Sequence, residues 1–541
     1  MRGRPLIRLH RSTRASRPPE SSGGLTRRSV FLSFGVLALC LVIMQLRDLL
    51  SYSRWWTDED QTLLWEAGRD LLHFQLHSPN FWGESYNTVF EGLPGALIHL
   101  TGMTLATAEP LGAALMATAC WLVLMCAALR RGQVISAALA LALPVCLSLF
   151  YLVLFDQLRG VLTGDLMGAV AAALAVAVRR PLLRLGLVLL VGGLALVWDN
   201  ASILVVAPAV AVVVAGDWRA LWRSWPKAVI VAAAGLAPAA ALHFFESSWY
   251  ASRPLWVIYG APLTINASVL WSQVTHPENL FAYFSPELLR NGWLAASLVV
   301  VLCIAACYAS VTRRRPSAAA TALGFAAATL LIMASEDSTH SGYGIYLSGS
   351  RFLLPLPLGA WLVAHELITT LQIKPRRRVA WRAPRVPVTL LAIAIIAAVS
   401  TGIAQASFRS QLGYSPAQRA NLGVNFVNAP RLVRTCGDIT TTYRRLSADI
   451  LVTSGISALP YACTAATGIR TFSAEFDRRR WLVDGPWQTQ LMTRDLFLGW
   501  KCSQIPSQAG RCTSLRPGLS LLRTPPRPIA KTLSLAGIYY R

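Results

Sequence analysis

What most constrains this chain is a pattern repeated through its first three quarters: mostly apolar stretches, many closed by a pair or cluster of arginines. Eleven such stretches run 29–46, 111–129, 133–154, 164–178, 184–199, 201–215, 227–244, 291–311, 317–334, 351–372 and 386–404. A helix needs about 17–25 mainly apolar residues to cross a bilayer, and these stretches reach or approach that length. Composition agrees, with 54% hydrophobic and 14% charged residues, where an ordinary soluble domain carries about a quarter charged. A purely soluble globular protein is thereby excluded, and the apolar content excludes a disordered chain. The pattern predicts an all-α polytopic membrane protein with about 11 transmembrane helices.

Charge sets the expected sidedness. A net charge of +24 would suggest nucleic acid in a soluble chain, but arginine-rich cytoplasmic loops account for it here, so no nucleic-acid partner is inferred. Residues 1–28 carry Arg2, Arg4, Arg8, Arg11, Arg14, Arg17, Arg27 and Arg28, which holds this end in the cytoplasm. Stretch 29–46 runs on into Arg47-Asp48 without a small-residue cleavage site, so it reads as an uncleaved anchor. A shorter apolar segment, 94–107, decides the rest. If it does not cross, Arg130-Arg131, Arg179-Arg180, Arg219/Arg223/Lys227, Arg313 to Arg315 and Lys374 to Arg378 all fall inside; if it crosses, all fall outside. It therefore reads as a helix at the outer interface. A transmembrane domain over 29–404 results, with outer segments 47–110, 245–290 and 335–350 and an outer tail 405–541.

The tail, about 137 residues, is long enough for a small mixed α/β extracytoplasmic domain. Ala448 to Ser454 reads as a strand, and the proline-rich run Arg523 to Pro528 as a terminal linker. Six cysteines lie in the apolar stretches, while Cys436, Cys463, Cys502 and Cys512 all lie in the tail. An even number confined to an outer domain suggests disulfides, and proximity favours Cys436–Cys463 with Cys502–Cys512. The rival zinc site lacks any Cys-x-x-Cys spacing.

The first outer segment is acidic, with Asp48, Asp58, Glu59, Asp60, Glu66, Asp70, Glu84 and Glu91. After Trp55-Trp56-Thr57 comes Asp58-Glu59-Asp60, and Leu64, Ala67/Gly68, Leu71 and Leu72 then recur at helical spacing, as in an amphipathic helix on the membrane surface. Acids in a first turn complement the helix dipole without any further role. Three adjacent carboxylates also repel one another unless a cation, a proton or a substrate engages them. From the residues alone both readings stand. Downstream run His77-Ser-Pro79-Asn-Phe81-Trp82-Gly83-Glu-Ser-Tyr86 and Glu91-Gly92.

This stretch, Thr57 to Glu91, resembles the first external loop of the GT-C membrane glycosyltransferases, among them protein O-mannosyltransferases and lipid A aminoarabinose transferases. Asp58-Glu59 matches the acidic pair that opens that loop, and Trp82 stands where tyrosine is common. Weaker echoes are Val197-Trp-Asp-Asn200 and Gly349-Ser-Arg351-Phe-Leu-Leu-Pro355. The likeness covers roughly residues 29–370.

The resemblance implies a GT-C-like fold in a bacterial inner (plasma) membrane. It also implies transfer of a sugar from a polyprenyl-phosphate donor to a cell-envelope glycan, lipid or protein acceptor on the outer side, usually with inversion. Asp58 is then the base that takes the acceptor proton, with Glu59 as its catalytic partner. Asp60 orients the acceptor, or Asp58 and Asp60 hold Mg²⁺ or Mn²⁺, which suit oxygen ligands. The departing phosphate needs positive charge, for which Arg351 and His340 are the candidates and Arg290 and His276 further ones. Tyr86 and Glu91 shape the site. Asp156 and Asp165 flank another outer turn, which reads first as solvated and otherwise as the source of a second metal ligand.

Two other classes compete. A transporter or flippase would bury charge near mid-membrane, whereas the predicted helix centres here are nearly free of it. A polysaccharide ligase or polymerase would not be expected to open on Asp-Glu.

Overall fold

The computed structural model describes residues 22–49, 59–76, 79–80, 87–103, 105–147, 151, 155, 160–252, 263–276, 281, 284, 291–337, 353–372, 385–411, 450–454, 470–474, 480–482, 492–498, 501–516, 519–537 and 539–540. The membrane part is helical: α1 (Ser22–Asp48), α2 (Glu59–Leu72), α3 (Leu93–His99), α4 (Leu105–Arg130), α5 (Val134–Cys146), α6 (Leu162–Ala177), α7 (Pro181–Trp198), α8 (Ile203–Arg223) and α9 (Trp225–Ala251). It continues through α10 (Ala267–Thr275), α11 (Gly292–Arg313), α12 (Pro316–Met333), α13 (Leu356–Gln372) and α14 (Arg385–Gln411).

Eight of the described helices are long and apolar enough to cross a membrane. The other three predicted spans are helices too, but shorter: α5 with 13 residues, α6 with 16 and α13 with 17. Segment 94–107 is mostly the seven-residue α3 and a turn. At 1.5 Å per residue α3 spans only about 10 Å, too little to cross.

Large aromatics fill the centre of the bundle: Trp121, Trp361, Tyr151, Phe155 and Phe325 are fully buried. Two of their three polar ends find a partner, that of Trp121 being left without one among the described residues. Trp361 Nε1 donates to the Ser136 carbonyl at 2.9 Å, and the Tyr151 hydroxyl donates to the Leu354 carbonyl at 3.1 Å. Outward faces are as apolar as the core, with Phe31, Phe244, Ile304, Val311 and Val388 exposed. In water such a surface would aggregate; against lipid tails it is the expected solvent face. Pro110, Pro144, Pro208 and Pro238 sit inside helices, which membrane helices tolerate when neighbours satisfy the freed carbonyls.

Two loops between helices meet in a small antiparallel pair, β1 (Leu263–Ile265) with β2 (Ser335–Asp337). The tail forms a second, mixed sheet of β3 (Ile450–Ser454), β4 (Arg470–Ala474), β5 (Arg480–Leu482), β6 (Met492–Leu498), β7 (Arg511–Arg516), β8 (Leu519–Pro528) and β9 (Tyr539–Tyr540). Their order is β7-β8-β6-β3-β4-β5-β9, with β3 parallel to β4 and β6. Leu496, Leu498, Leu522 and Ile529 make its small core with Leu533 of the helix Ile529–Leu535. Cys502 and Cys512 are joined by a disulfide; Cys436 and Cys463 lie outside the described residues.

The run Arg523 to Pro528 corrects the linker expectation, because it is the second half of β8. The register with β6 shifts between Thr493 and Asp495, and β7 stops pairing at Arg523. Pro525 and Pro526 thus fall at a bulge with no neighbour on the β7 side, where a missing N–H leaves no ladder bond unmade.

Candidate active site

The loop between α1 and α4 folds back on itself. α2 turns Leu64, Ala67 and Gly68 inward, and Ala67 packs on Val89 of a 3-10 turn, Val89–Gly92. The two limbs touch backbone to backbone: a Cβ at Gly68 would run into the Gly92 carbonyl, and one at Gly92 into that of Leu64. The Thr88 hydroxyl caps the turn by accepting from Phe90 N at 3.2 Å, while Thr88 N donates to the Gly160 carbonyl at 3.1 Å. Phe90 lies 5.9 Å from the Trp198 ring. The loop is therefore fastened to the start of α6 and the end of α7.

These contacts gather carboxyls from four separate elements at one end of the bundle. Glu91 of the turn, Glu109 in α4, Asp165 in α6 and Asp199 just after α7 are each no more than 2% exposed. Glu91 acts electrostatically on both Glu109 and Asp165, and Asp199 on Asp165. Glu109 presses against Gly95, close enough to exclude a Cβ there, and neither of its oxygens has a hydrogen-bond partner. Asp199 accepts from Ala201 N at 3.0 Å and the Ser202 hydroxyl at 3.3 Å. A set of buried carboxyls this dense needs protons, or counter-charge supplied by an incoming group. Chemically it is a place to hold hydroxyls and to take up a proton.

The sequence candidates are placed unevenly. Glu59 and Asp60 open α2, the helix seated on the turn that carries Glu91. Asp58, Tyr86, Asp156, Arg290, His340 and Arg351 lie outside the described residues. His276 closes α10. Asp165 corrects the solvated-turn expectation: at 1% exposure it is drawn inward because α6 starts beneath the first loop. Glu109 was missed altogether, although a lone carboxylate opening an apolar stretch is a signal for function. Among the described residues no three His, Cys, Asp or Glu side chains are grouped to hold a metal ion.

The expectation of charge-free helix centres also needs correction in α13, where His365 and Glu366 are buried near mid-helix. Glu366 interacts with Arg131, Arg184 and Arg315, so these groups belong to the opposite, arginine-rich end.

No protein-family model matches the sequence, and no curated protein matches it significantly. Among solved structures, apo ArnT from Cupriavidus metallidurans superposes with a TM-score of 0.52 at 11% identity, over 92% of this chain and 98% of that one. The same ArnT bound to undecaprenyl phosphate gives a TM-score of 0.37 at 12% identity, over 90% and 97%. Identity this low speaks to fold alone. Over most of its length the chain has an ArnT-like fold.

Proposed function

We propose that this protein transfers a sugar from a polyprenyl-phosphate carrier to an acceptor hydroxyl or amine at the outer face of a bacterial inner membrane. One observation carries the reading: on an ArnT-like frame, the helix that follows Asp58 is locked by backbone contact onto the turn bearing buried Glu91, with Asp165 and Asp199 close by.

In this reading the acceptor heteroatom attacks the anomeric carbon from the face opposite the phosphate. A new glycosidic bond forms, the bond from the anomeric carbon to the phosphate oxygen breaks, and polyprenyl phosphate leaves with that electron pair. Asp58 accepts the acceptor's proton, while Glu59 and Asp60 orient the acceptor. The configuration inverts, and no second acid is required because the leaving group is already a stabilised anion, unlike in glycoside hydrolysis. Arg351 and His340 supply positive charge where the phosphate departs. A divalent cation, if used, is held by Asp58 and Asp60, but no step here depends on it. The tail, with three times as many basic as acidic residues, suits an anionic cell-envelope acceptor.

The test is a reconstituted assay with labelled polyprenyl-phosphate sugars, comparing the intact protein with Asp58→Asn. Loss of a general base lowers the rate about 10²–10⁴-fold. Undiminished transfer by the variant removes Asp58 as base. Label that crosses the bilayer with its sugar–phosphate bond intact makes the protein a flippase instead.

A further inference from the structure

The far end of the bundle holds a second feature that the transfer reading does not use. α4 is 26 residues long, so Arg130 lies roughly 39 Å along its axis from the helix start beside the buried acids. There the ends of α4 and α6 and the start of α7 border a half-open pocket of 420 Å³ lined by Arg130, Ala177, Val178, Arg179, Arg180 and Leu183. That volume lies within the range of small-ligand sites, about 300–1,000 Å³.

The arginines at this end divide into two groups. Arg131 is committed to the chain, donating from Nε to the Val176 carbonyl at 2.5 Å and from its amino group to that of Val178 at 2.9 Å. Arg184 is committed as well, paired with Asp217 at 2.9 Å. Arg130, Arg179 and Arg180 line the cavity, and no carboxylate among the described residues pairs with them. Arg180 also precedes the N-terminus of α7, where Pro181 starts the helix and its dipole adds positive potential. Three exposed guanidiniums around one concavity present concentrated positive charge, and phosphate oxygens match their geometry. Ala177, Val178 and half-exposed Leu183 form an apolar flank beside the lipid-facing surface of α7, so an acyl chain has a place to lie.

We infer that this cavity binds the phosphate-bearing headgroup of an anionic membrane lipid, at the end of the bundle opposite the carboxyl-rich site. The inference stands apart from the transfer chemistry and survives if that reading fails.

The full-length protein is purified in neutral detergent, exposed to phosphatidylglycerol or phosphatidylcholine, and scored for retained lipid by native mass spectrometry. Phosphatidylglycerol is expected to be retained at one per chain in preference to phosphatidylcholine. Each arginine near a lipid phosphate contributes about fivefold in affinity. Arg130→Gln, Arg179→Gln and Arg180→Gln together therefore lower retention roughly 100-fold, and the three lysine replacements keep most of it. If the triple glutamine variant does not fold, the single variants report about fivefold each. Arg219→Gln, on α8 outside the cavity, changes nothing. Equal retention of both lipids by the intact protein overturns the inference, as does undiminished retention by the glutamine variants. An Arg219→Gln loss as large as theirs means diffuse surface attraction and overturns it too. Displacement of the lipid by inorganic phosphate at matched concentration makes this a free-phosphate site instead.

Discussion

The two ends of the bundle bury charge in opposite ways. At the arginine end three charged groups are answered within the chain: Arg184 by Asp217, Arg131 by two carbonyls, and Glu366 by three surrounding arginines. At the other end Glu91, Glu109, Asp165 and Asp199 are all of one sign and come from different elements. Internally balanced charge is what a fold needs to stay folded, since burying an unanswered ion costs several kcal/mol. Same-sign burial adds nothing to stability that apolar side chains would not supply better. In the proposed reading these carboxyls serve a substrate that arrives from outside.

That contrast breaks most visibly through activity. Asp165→Asn, with its shape kept, should cut sugar transfer about 100-fold, the scale of a misplaced reacting group, and leave thermal unfolding nearly unchanged. Arg184→Gln should do the reverse, and a matching loss of transfer in both variants would dissolve the distinction. Gly92→Leu comes next. Its side chain has no room against the Leu64 carbonyl, and a cost of about 3 kcal/mol is expected, read as a lowered Tm together with lost transfer. Asp217→Asn is milder, about 1–3 kcal/mol for leaving buried Arg184 without its anion, read in thermal melts with transfer retained. The smallest effect is Phe90→Ala, which removes the ring contact to Trp198. Around 0.5–1.5 kcal/mol beyond lost burial is expected, with a raised KM if the first loop loosens.

Much of the architecture was legible because membrane spans are written in local composition. Each of the eleven predicted spans contains a described helix, eight of them long and apolar enough to cross a membrane, and α3 stops short of crossing because its apolar run is brief. What local pattern could not reveal is which polar residues turn inward. Arg130 and Arg131 are adjacent and identical in sequence terms, yet one lines a cavity and the other ties off the end of α6. Asp165 read as a turn residue because nothing nearby in sequence reveals that the Val89–Gly92 turn, some seventy residues earlier, lies over it. Glu109 was lost inside an alanine-rich run whose average hydropathy concealed it. Pro525 and Pro526 looked like a linker because a bulge is a property of the partner strand.

The glycine contact between α2 and the following turn has a wider consequence. With no side chain between Gly68 and Gly92 there is nothing to compress or repack, so the loop's two limbs shift as one stiff plate. A change in acceptor preference cannot then be achieved by trimming that seam, since any added atom displaces every acid mounted on it at once.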